Sequence, residues 1–273
     1  GIETSGEWSS PPISGTVPKE YWSHASEMID FDALAGKQVA VLGAGASAMD
    51  NAVAALAADA LEVSVFCRRS ELQRVQPFKW LSFPGFLRHF SELDDEWRWK
   101  FMEHLLGLRE AFPKETWERV NEYSNFRLET GSPWQGLSII DGKVCIETPK
   151  GKFLADFLIF GTGFVIDISR RSELRDYVDL IALWKDRYAC PKDESGSMLS
   201  NYPYLGNGFE FLEKNIGTAS WLRNIHLFTF GTTMSFGPSG ASINAMKFAV
   251  PKLVNAITTV SYTHLRAHET RIH

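Results

Sequence analysis

The chain has 273 residues, of which 44% are hydrophobic and 22% charged, with a formal net charge of −5 at pH 7. This apolar fraction supports a buried core and excludes a disordered chain, and the length suggests one large or two small domains. The mildly acidic balance argues against nucleic acid as a partner. The apolar runs are far shorter than the ~20 residues of a membrane-spanning helix, so we expect no span. Three widely separated cysteines form no CxxC pair and no metal-ligand spacing, which predicts a reducing, cytoplasmic setting.

Both ends of the chain are unlike those of a complete domain. The chain begins at Gly1 without an initiator Met and soon enters a Ser/Pro-rich stretch, so we expect further sequence upstream. From Val260 onward the sequence resembles a sequencing adapter translated in frame, and we predict that residues 260–273 are an artefactual tail. The histidines of this tail are therefore assigned no metal-binding role.

The first clear element is a β-branched run from Lys37 to Leu42, which predicts a strand. A turn rich in Gly and Ala follows, and then the Ala-rich segment 49–58, which favours a helix. The alternating segment 61–67 predicts a second strand. Strand, turn, helix and strand within about 30 residues make a βαβ unit.

Residues 71–123 are rich in Trp and charge, and we predict a helical insertion there. The remaining predicted elements are helices at 94–109 and 114–123, hairpin strands at 137–140 and 143–147, strands at 156–160 and 225–230, and a helix at 241–257. The Asp-Gly pair between the hairpin strands is a tight-turn signal. This order of elements predicts an α/β fold class, with a Rossmann-like domain that carries the insertion.

The turn after the first strand reads Gly43-Ala-Gly45-Ala-Ser47-Ala48, which is a dinucleotide-binding fingerprint with Ala in the third small-residue place. Gly43 permits the tight turn, Gly45 lets the backbone approach a pyrophosphate, and Ala48 allows helix and strand to pack closely. The helix N-terminus near Ser47 supplies N–H donors and the positive end of a dipole. The flanking strand and helix are the context that the motif needs, so we predict a dinucleotide site here.

The second strand is followed by Arg68 and Arg69, where an Asp or Glu would favour NAD. Two guanidinium groups can bind a 2′-phosphate in bidentate fashion, so the pair favours NADP as the coenzyme. From the residues alone, two alternatives remain. The arginines could form a solvated surface pair with no ligand, or the coenzyme could be NAD.

The segment 156–164 reads DFLIFGTGF: an acidic residue, an apolar run and then a Thr-Gly pair. It resembles a segment of the same pattern that follows the NADP domain in flavoproteins with two dinucleotide-binding domains. Together with the glycine turn and the arginine pair, it makes residues 17–259 similar to the flavin-containing monooxygenase superfamily. The resemblance implies that Gly161, Thr162 and Gly163 lead the chain from the NADP domain back into an FAD domain and take part in cofactor binding.

The resemblance also implies a division of the chain into four segments. These are a linker and remnant of the FAD domain at 1–35, an NADP-binding domain at 36–160, the C-terminal part of the FAD-binding domain at 161–259, and the tail at 260–273.

Two further features bear on the resemblance. The strand, turn and helix near the end resemble the superfamily's last FAD-contacting element, which makes Ser239 and Gly240 candidates for flavin contact; a plain loop before a helix is the alternative. The superfamily's identifying motif is degenerate here: His24 occupies the histidine place, but other residues replace its Phe, Gly and Tyr/Phe. His24 therefore has either a role at the domain junction or a structural one.

The resemblance implies an NADPH- and FAD-dependent monooxygenase. Hydride would pass from NADPH to the flavin, which would take up O₂ as a C4a-peroxide and oxygenate a small organic substrate. No side chain needs to act as a nucleophile, so we assign no catalytic residue and no metal. Because the first FAD motif is missing, we expect the chain alone to be nearly inactive. The alternatives are a flavin-dependent reductase of the same architecture and a non-enzymatic NADP-binding redox-sensing module, and a homodimer is left open.

Overall fold

A computed structural model describes residues 7–72, 76, 79, 81–108, 111–191, 198–240 and 242–269. The described residues fall into two compact units. One unit, here called the sheet unit, takes its residues from 8–77 and 109–164. The other, here called the loop-rich unit, takes them from the start of the chain, from 78–108 and from 165 onward.

The sheet unit is built on a five-stranded parallel sheet. Its strands are β1 (Trp22–His24), β2 (Gln38–Leu42), β3 (Glu62–Phe66), β4 (Phe126–Glu129) and β8 (Phe157–Phe160). Their order across the sheet is β1-β8-β2-β3-β4. An antiparallel sheet contains β5 (Gly136–Ile140), β6 (Lys143–Thr148) and β7 (Gly151–Ala155). Helices α1 (Ala46–Ala57) and α4 (Lys114–Asn121) lie in the crossovers that parallel pairing requires.

Both faces of the parallel sheet are buried, as the side chains of β2 show. Val39 and Val41 pack in the cluster that contains the inner face of α1. Ala40, between them, packs in a different cluster with Val144 and Ile146 of β6. Because successive side chains of a strand face opposite sides, the parallel sheet lies between a helical layer and the antiparallel sheet.

The loop-rich unit contains short helices and two aromatic clusters. Its α-helices are α2 (Pro84–His89), α3 (Asp95–Leu108), α5 (Trp184–Arg187), α6 (Thr233–Phe236) and α7 (Met246–Glu269). One cluster surrounds Phe209, Phe211 and Phe236, and the other surrounds Trp99 and Trp184. No helix in the described part of the chain combines the length and apolar character needed to cross a bilayer.

The α/β fold class, the βαβ unit, the two insertion helices and the hairpin are confirmed. Asp141 and Gly142 both have positive φ, 49° and 76°, as a two-residue hairpin turn of the Asp-Gly type requires. Within the predicted insertion, residues 78–108 group with the loop-rich unit and the later part with the sheet unit. The four predicted domain segments stay predictions.

The predicted strand at 225–230 is wrong. Short 3₁₀ helices at 220–224 and 230–232 flank this segment, and His226 forms an isolated bridge with Glu210. Leu227 and its apolar neighbours pack in the Phe209 cluster, and burial in a loop core gives the same apolar pattern as a strand. The last helix begins at Met246, later than predicted, and its backbone continues to Glu269 within the predicted tail; residues 241 and 270–273 lie outside the described residues.

Candidate dinucleotide site

The turn between β2 and α1 approaches the end of β8 so closely that only small residues fit. Gly43 has φ +115°, a conformation that favours glycine, and its N–H donates to the Phe66 carbonyl at 2.8 Å. A Cβ on Gly43 would collide with the Gly161 carbonyl, whose carbon would be only 3.0 Å away. The backbone of the turn therefore lies directly against the Thr-Gly segment after β8.

Gly161 and Ala48 make the second close approach. A Cβ on Gly161 would overlap the Ala48 methyl group and lie 2.8 Å from the Ala48 Cα. The Gly161 N–H donates to the Leu42 carbonyl at 2.8 Å, and Ala48 is fully buried. The first turn of α1 is thereby fixed at the carboxyl edge of the sheet, as the sequence predicts for the third small residue.

The N-terminus of α1 is left open. Gly45 is the N-cap residue in an extended conformation, and no side chain caps the helix. A Cβ on Gly45 would meet no atom within 4 Å, and Gly45 and Ser47 are both exposed. Exposed N–H groups and the positive end of the helix dipole make this position suitable for an anion such as a phosphate.

The arginine pair follows β3 at the same carboxyl edge, because Phe66 at the end of β3 pairs with Leu42 at the end of β2. The N–H of Gly131 donates to the Arg69 carbonyl at 2.6 Å and fixes the start of this loop. Arg68 is exposed, and no described carboxylate forms an ion pair with it. The structure thus places Arg68 and Arg69 in the loop after the strand that neighbours the glycine turn.

Thr162 and Gly163 hold the start of the sheet unit. Gly163 has φ +79°, and its carbonyl accepts the N–H of Ser9 at 2.8 Å. The Thr162 hydroxyl donates to the Ser9 carbonyl. These two residues have a structural role that the sequence analysis did not foresee, and their predicted part in cofactor binding stays a prediction.

His24 is buried at the end of β1, where its ring stacks on Trp8 with centroids 5.4 Å apart. Its Nδ1 accepts the N–H of Ser26 at 3.2 Å, and its own backbone N–H donates to Glu27 at 2.6 Å. Partial burial raises the pKa of Glu27, but hydrogen bonds from Lys19 and from the His24 N–H outweigh it and hold the pKa below its ordinary value. These contacts favour the structural interpretation of His24.

Ser239 and Gly240 belong to the loop-rich unit, whereas the other predicted site residues belong to the sheet unit. Their backbone forms the end of a 3₁₀ helix, and their side chains lie outside what the structure describes. In the same unit, the Nδ1–H of His226 donates to the Gly208 carbonyl at 2.8 Å, a backbone contact that suits a structural histidine. No cluster of His, Cys, Asp or Glu in the described residues could hold a metal ion.

No family model matches the chain. It is 34% identical over 258 residues to an FAD-dependent urate hydroxylase from Xanthomonas campestris pv. campestris, covering 94% of the chain and 54% of that protein. A cadaverine monooxygenase from Erwinia amylovora, solved with FAD, matches with a TM-score of 0.66 at 14% identity over 94% of the chain. The sequence similarity to the urate hydroxylase, together with this shared fold, supports placing the chain with the FAD/NAD(P)-dependent oxidoreductase superfamily.

Other solved members of this superfamily share the fold. The reduced ornithine hydroxylase of Pseudomonas aeruginosa matches 96% of the chain with a TM-score of 0.64 at 14% identity. An ornithine N-hydroxylase from Kutzneria sp. 744, solved with reduced FAD, NADP⁺ and ornithine, matches 90% with a TM-score of 0.59, also at 14% identity. The chain spans about half the length of the urate hydroxylase and covers 60%, 61% and 60% of the three solved chains.

Proposed function

We propose that the chain contains the NADP-binding domain, residues 36–160, and the C-terminal part of the FAD-binding domain, residues 161–259, of an NADPH- and FAD-dependent monooxygenase. The observation that carries the proposal is the open N-terminus of α1, which the close approach of Gly43, Gly161 and Ala48 holds at the carboxyl edge of a parallel sheet. This edge is where open α/β sheets bind their ligands.

The residues present fit NADP. The Cβ-free backbone at Gly43 and Gly45 lets a pyrophosphate reach the first turn of α1, where N–H groups would hold it. Arg68 and Arg69, in the loop after the neighbouring strand, would hold the 2′-phosphate, which NAD lacks. When bound, the two cofactors supply hydride transfer and oxygen activation. The protein's part is to orient the coenzyme and to exclude water from the reacting groups.

The relatives favour a small nitrogen-containing substrate. The 34% identical protein is named for urate, and two solved proteins of the same fold are named for cadaverine and ornithine. We propose hydroxylation of such a substrate with O₂ in the cytoplasm, and urate is the first compound to test because the similarity to the urate hydroxylase is the higher one. Size-exclusion chromatography with light scattering would decide between a monomer and a homodimer.

The coenzyme assignment is tested by calorimetric titration of the chain with NADP⁺ and NAD⁺. We expect the chain to bind NADP⁺ more tightly, and Arg68→Ala together with Arg69→Ala to weaken NADP⁺ binding by roughly tenfold, about 1.4 kcal/mol, while NAD⁺ binding is unchanged. Arg223→Ala, at an exposed arginine of the loop-rich unit, is the matched control. Equal affinities, or a double variant that binds NADP⁺ normally, would contradict the assignment.

Turnover is tested on a longer protein that carries the whole FAD domain. NADPH oxidation, O₂ uptake and urate consumption should then proceed in equal amounts. Hydrogen peroxide release without substrate consumption, across urate, ornithine and cadaverine, would favour the reductase alternative.

A further inference from the structure

A cleft of about 280 Å³ lies within the loop-rich unit, apart from the predicted site residues. Its walls come from the segment 87–92, which spans the end of α2, and from residues 248–255 of α7. Phe209 and Phe236 also line it. Its volume is close to the lower end of small-ligand pockets, roughly 300 Å³.

The apolar part of the cleft is a pair of stacked rings. Phe209 and Phe236 lie 3.9 Å apart between ring centroids, nearly parallel, and both are buried. Phe209 has φ +70°, which is rare for a bulky side chain and is kept only where the surrounding structure enforces it. Hydrogen bonds from the Phe209 N–H to Gly206 and from the Leu227 N–H to Phe209 fix this conformation. The Phe209 ring is therefore held rigidly at the wall of the cleft.

The polar part of the cleft is Lys252 on α7. Its ammonium group donates to the Ser91 hydroxyl at 2.7 Å and lies 5.3 Å from the centre of the Phe236 ring. None of the described carboxylates forms an ion pair with it: Glu92 also lines the cleft, but its nearest partner is His89, at 2.9 Å. Burial lowers the pKa of Lys252, and the charge of Glu92 offsets this only in part.

A half-buried ammonium that forms no ion pair with a described carboxylate gains more from an anion than a solvated lysine does, because part of its hydration is already lost. Arg88, exposed at the rim, adds a second positive charge. The charged groups of the lining are thus two cations and one carboxylate. Flat rings beside a few polar groups are the usual composition of a small-molecule site.

We propose that this cleft binds a small aromatic carboxylate, with Lys252 as the contact to the carboxylate and the Phe209–Phe236 pair against the ring. The site is independent of the proposed function, because none of the residues that form it is a predicted cofactor contact. Nothing in the coenzyme titration above depends on it.

The probe is benzoate, titrated into the full chain at pH 7 and followed by the chemical shifts of its protons. Saturable binding is expected, and Lys252→Met should weaken it at least tenfold while keeping the length of the side chain. Lys247→Met is the matched control, because Lys247 lies on the same helix, is exposed and also sits over a phenylalanine ring, that of Phe248. Benzamide, which has the same shape without the charge, should bind the unaltered chain at least tenfold more weakly.

A second measurement needs no variant, in case Lys252→Met does not fold. Lysines of the unaltered chain are acetylated with acetic anhydride, and the modified peptides are quantified by mass spectrometry with and without benzoate. Benzoate should slow the modification of Lys252 at least threefold and leave that of Lys247 unchanged. Absence of saturable benzoate binding, equal binding by the folded Lys252→Met chain, or equal protection of the two lysines would overturn the proposal.

Discussion

The β2–α1 turn and the Lys252 cleft use opposite means to present positive potential. The turn does so with backbone: Gly43, Gly161 and Ala48 bring strand and helix so close that the helix N-terminus stays open. The cleft does so with side chains, since a lysine ammonium lies beside two stacked rings. A site built from backbone has no side chain to truncate, and it fails when a methyl group is added. A site built from side chains fails when a charge is removed.

The comparison is tested most strongly by Gly43→Ala. The added methyl group meets the Gly161 carbonyl, and φ +115° is strained for any L-residue with a side chain. We expect the free energy of unfolding to fall by about 3 kcal/mol and NADP⁺ binding to be lost. Urea denaturation followed by circular dichroism, together with the coenzyme titration, measures both effects.

Gly142→Ala is the matched control for Gly43→Ala. Gly142 has φ +76° in the hairpin turn, but an added Cβ would meet nothing within 4 Å. Gly142→Ala should therefore lower the free energy of unfolding by about 1 kcal/mol, which is the cost of the positive φ alone. If both alanine variants lose the same free energy of unfolding, the close approach at Gly43 has no energetic consequence and the comparison fails.

Gly161→Ala should have a smaller effect, because Gly161 does not have positive φ and strain arises only from contacts, chiefly with Ala48 and also with the Leu42 carbonyl oxygen at 3.3 Å. We expect the free energy of unfolding to fall by about 2 kcal/mol. Ala48→Gly removes the opposing methyl group and costs about 1 kcal/mol by itself as a helix substitution. The double variant should be more stable than the sum of the two losses predicts, and strict additivity would show that the two residues do not interact.

The sequence could predict those parts of the fold in which a local residue pattern is compatible with only one backbone structure. The strand before Gly43, the Ala-rich helix and the Asp-Gly hairpin each satisfy backbone requirements that few residues meet. The small residues Gly43, Gly45 and Ala48 were identified for the same reason, whereas the contacts of Gly43 and Ala48 with Gly161 came only from the structure. The arginine pair could be singled out from the sequence because it directly follows the strand that became β3.

The remainder depended on contacts distant in sequence. β1 has three residues, Trp22–His24, and is a strand only because β8 pairs with it, so no local pattern marks it. The stack of Trp8 on His24 and the hold of Thr162 on Ser9 join residues up to 153 positions apart. Lys252 had one available signal, a charge among the apolar residues of α7, but its desolvation depends on packing that the sequence does not show.

At Glu27, backbone and side chain act together: a backbone N–H and a side-chain ammonium group both hold one carboxylate. It accepts the His24 N–H at 2.6 Å and the Lys19 ammonium at 2.7 Å, with 26% of its side chain exposed. Its pKa is lowered in the folded state, so its contribution to stability is present above its ordinary pKa of 4.5 and is lost as the pH falls through the folded value.

Glu27→Gln should therefore be the mildest of these changes. We expect a loss of about 1 kcal/mol in the free energy of unfolding at pH 7, and a difference from the unaltered chain that shrinks as the pH falls below the ordinary pKa. Urea denaturation at several pH values measures this. Glu20→Gln, at an exposed glutamate on the same segment, is the control and should change little at any pH. A Glu27→Gln loss that stayed constant down to low pH would mean that shape and packing stabilise this position and that the charge of the carboxylate does not.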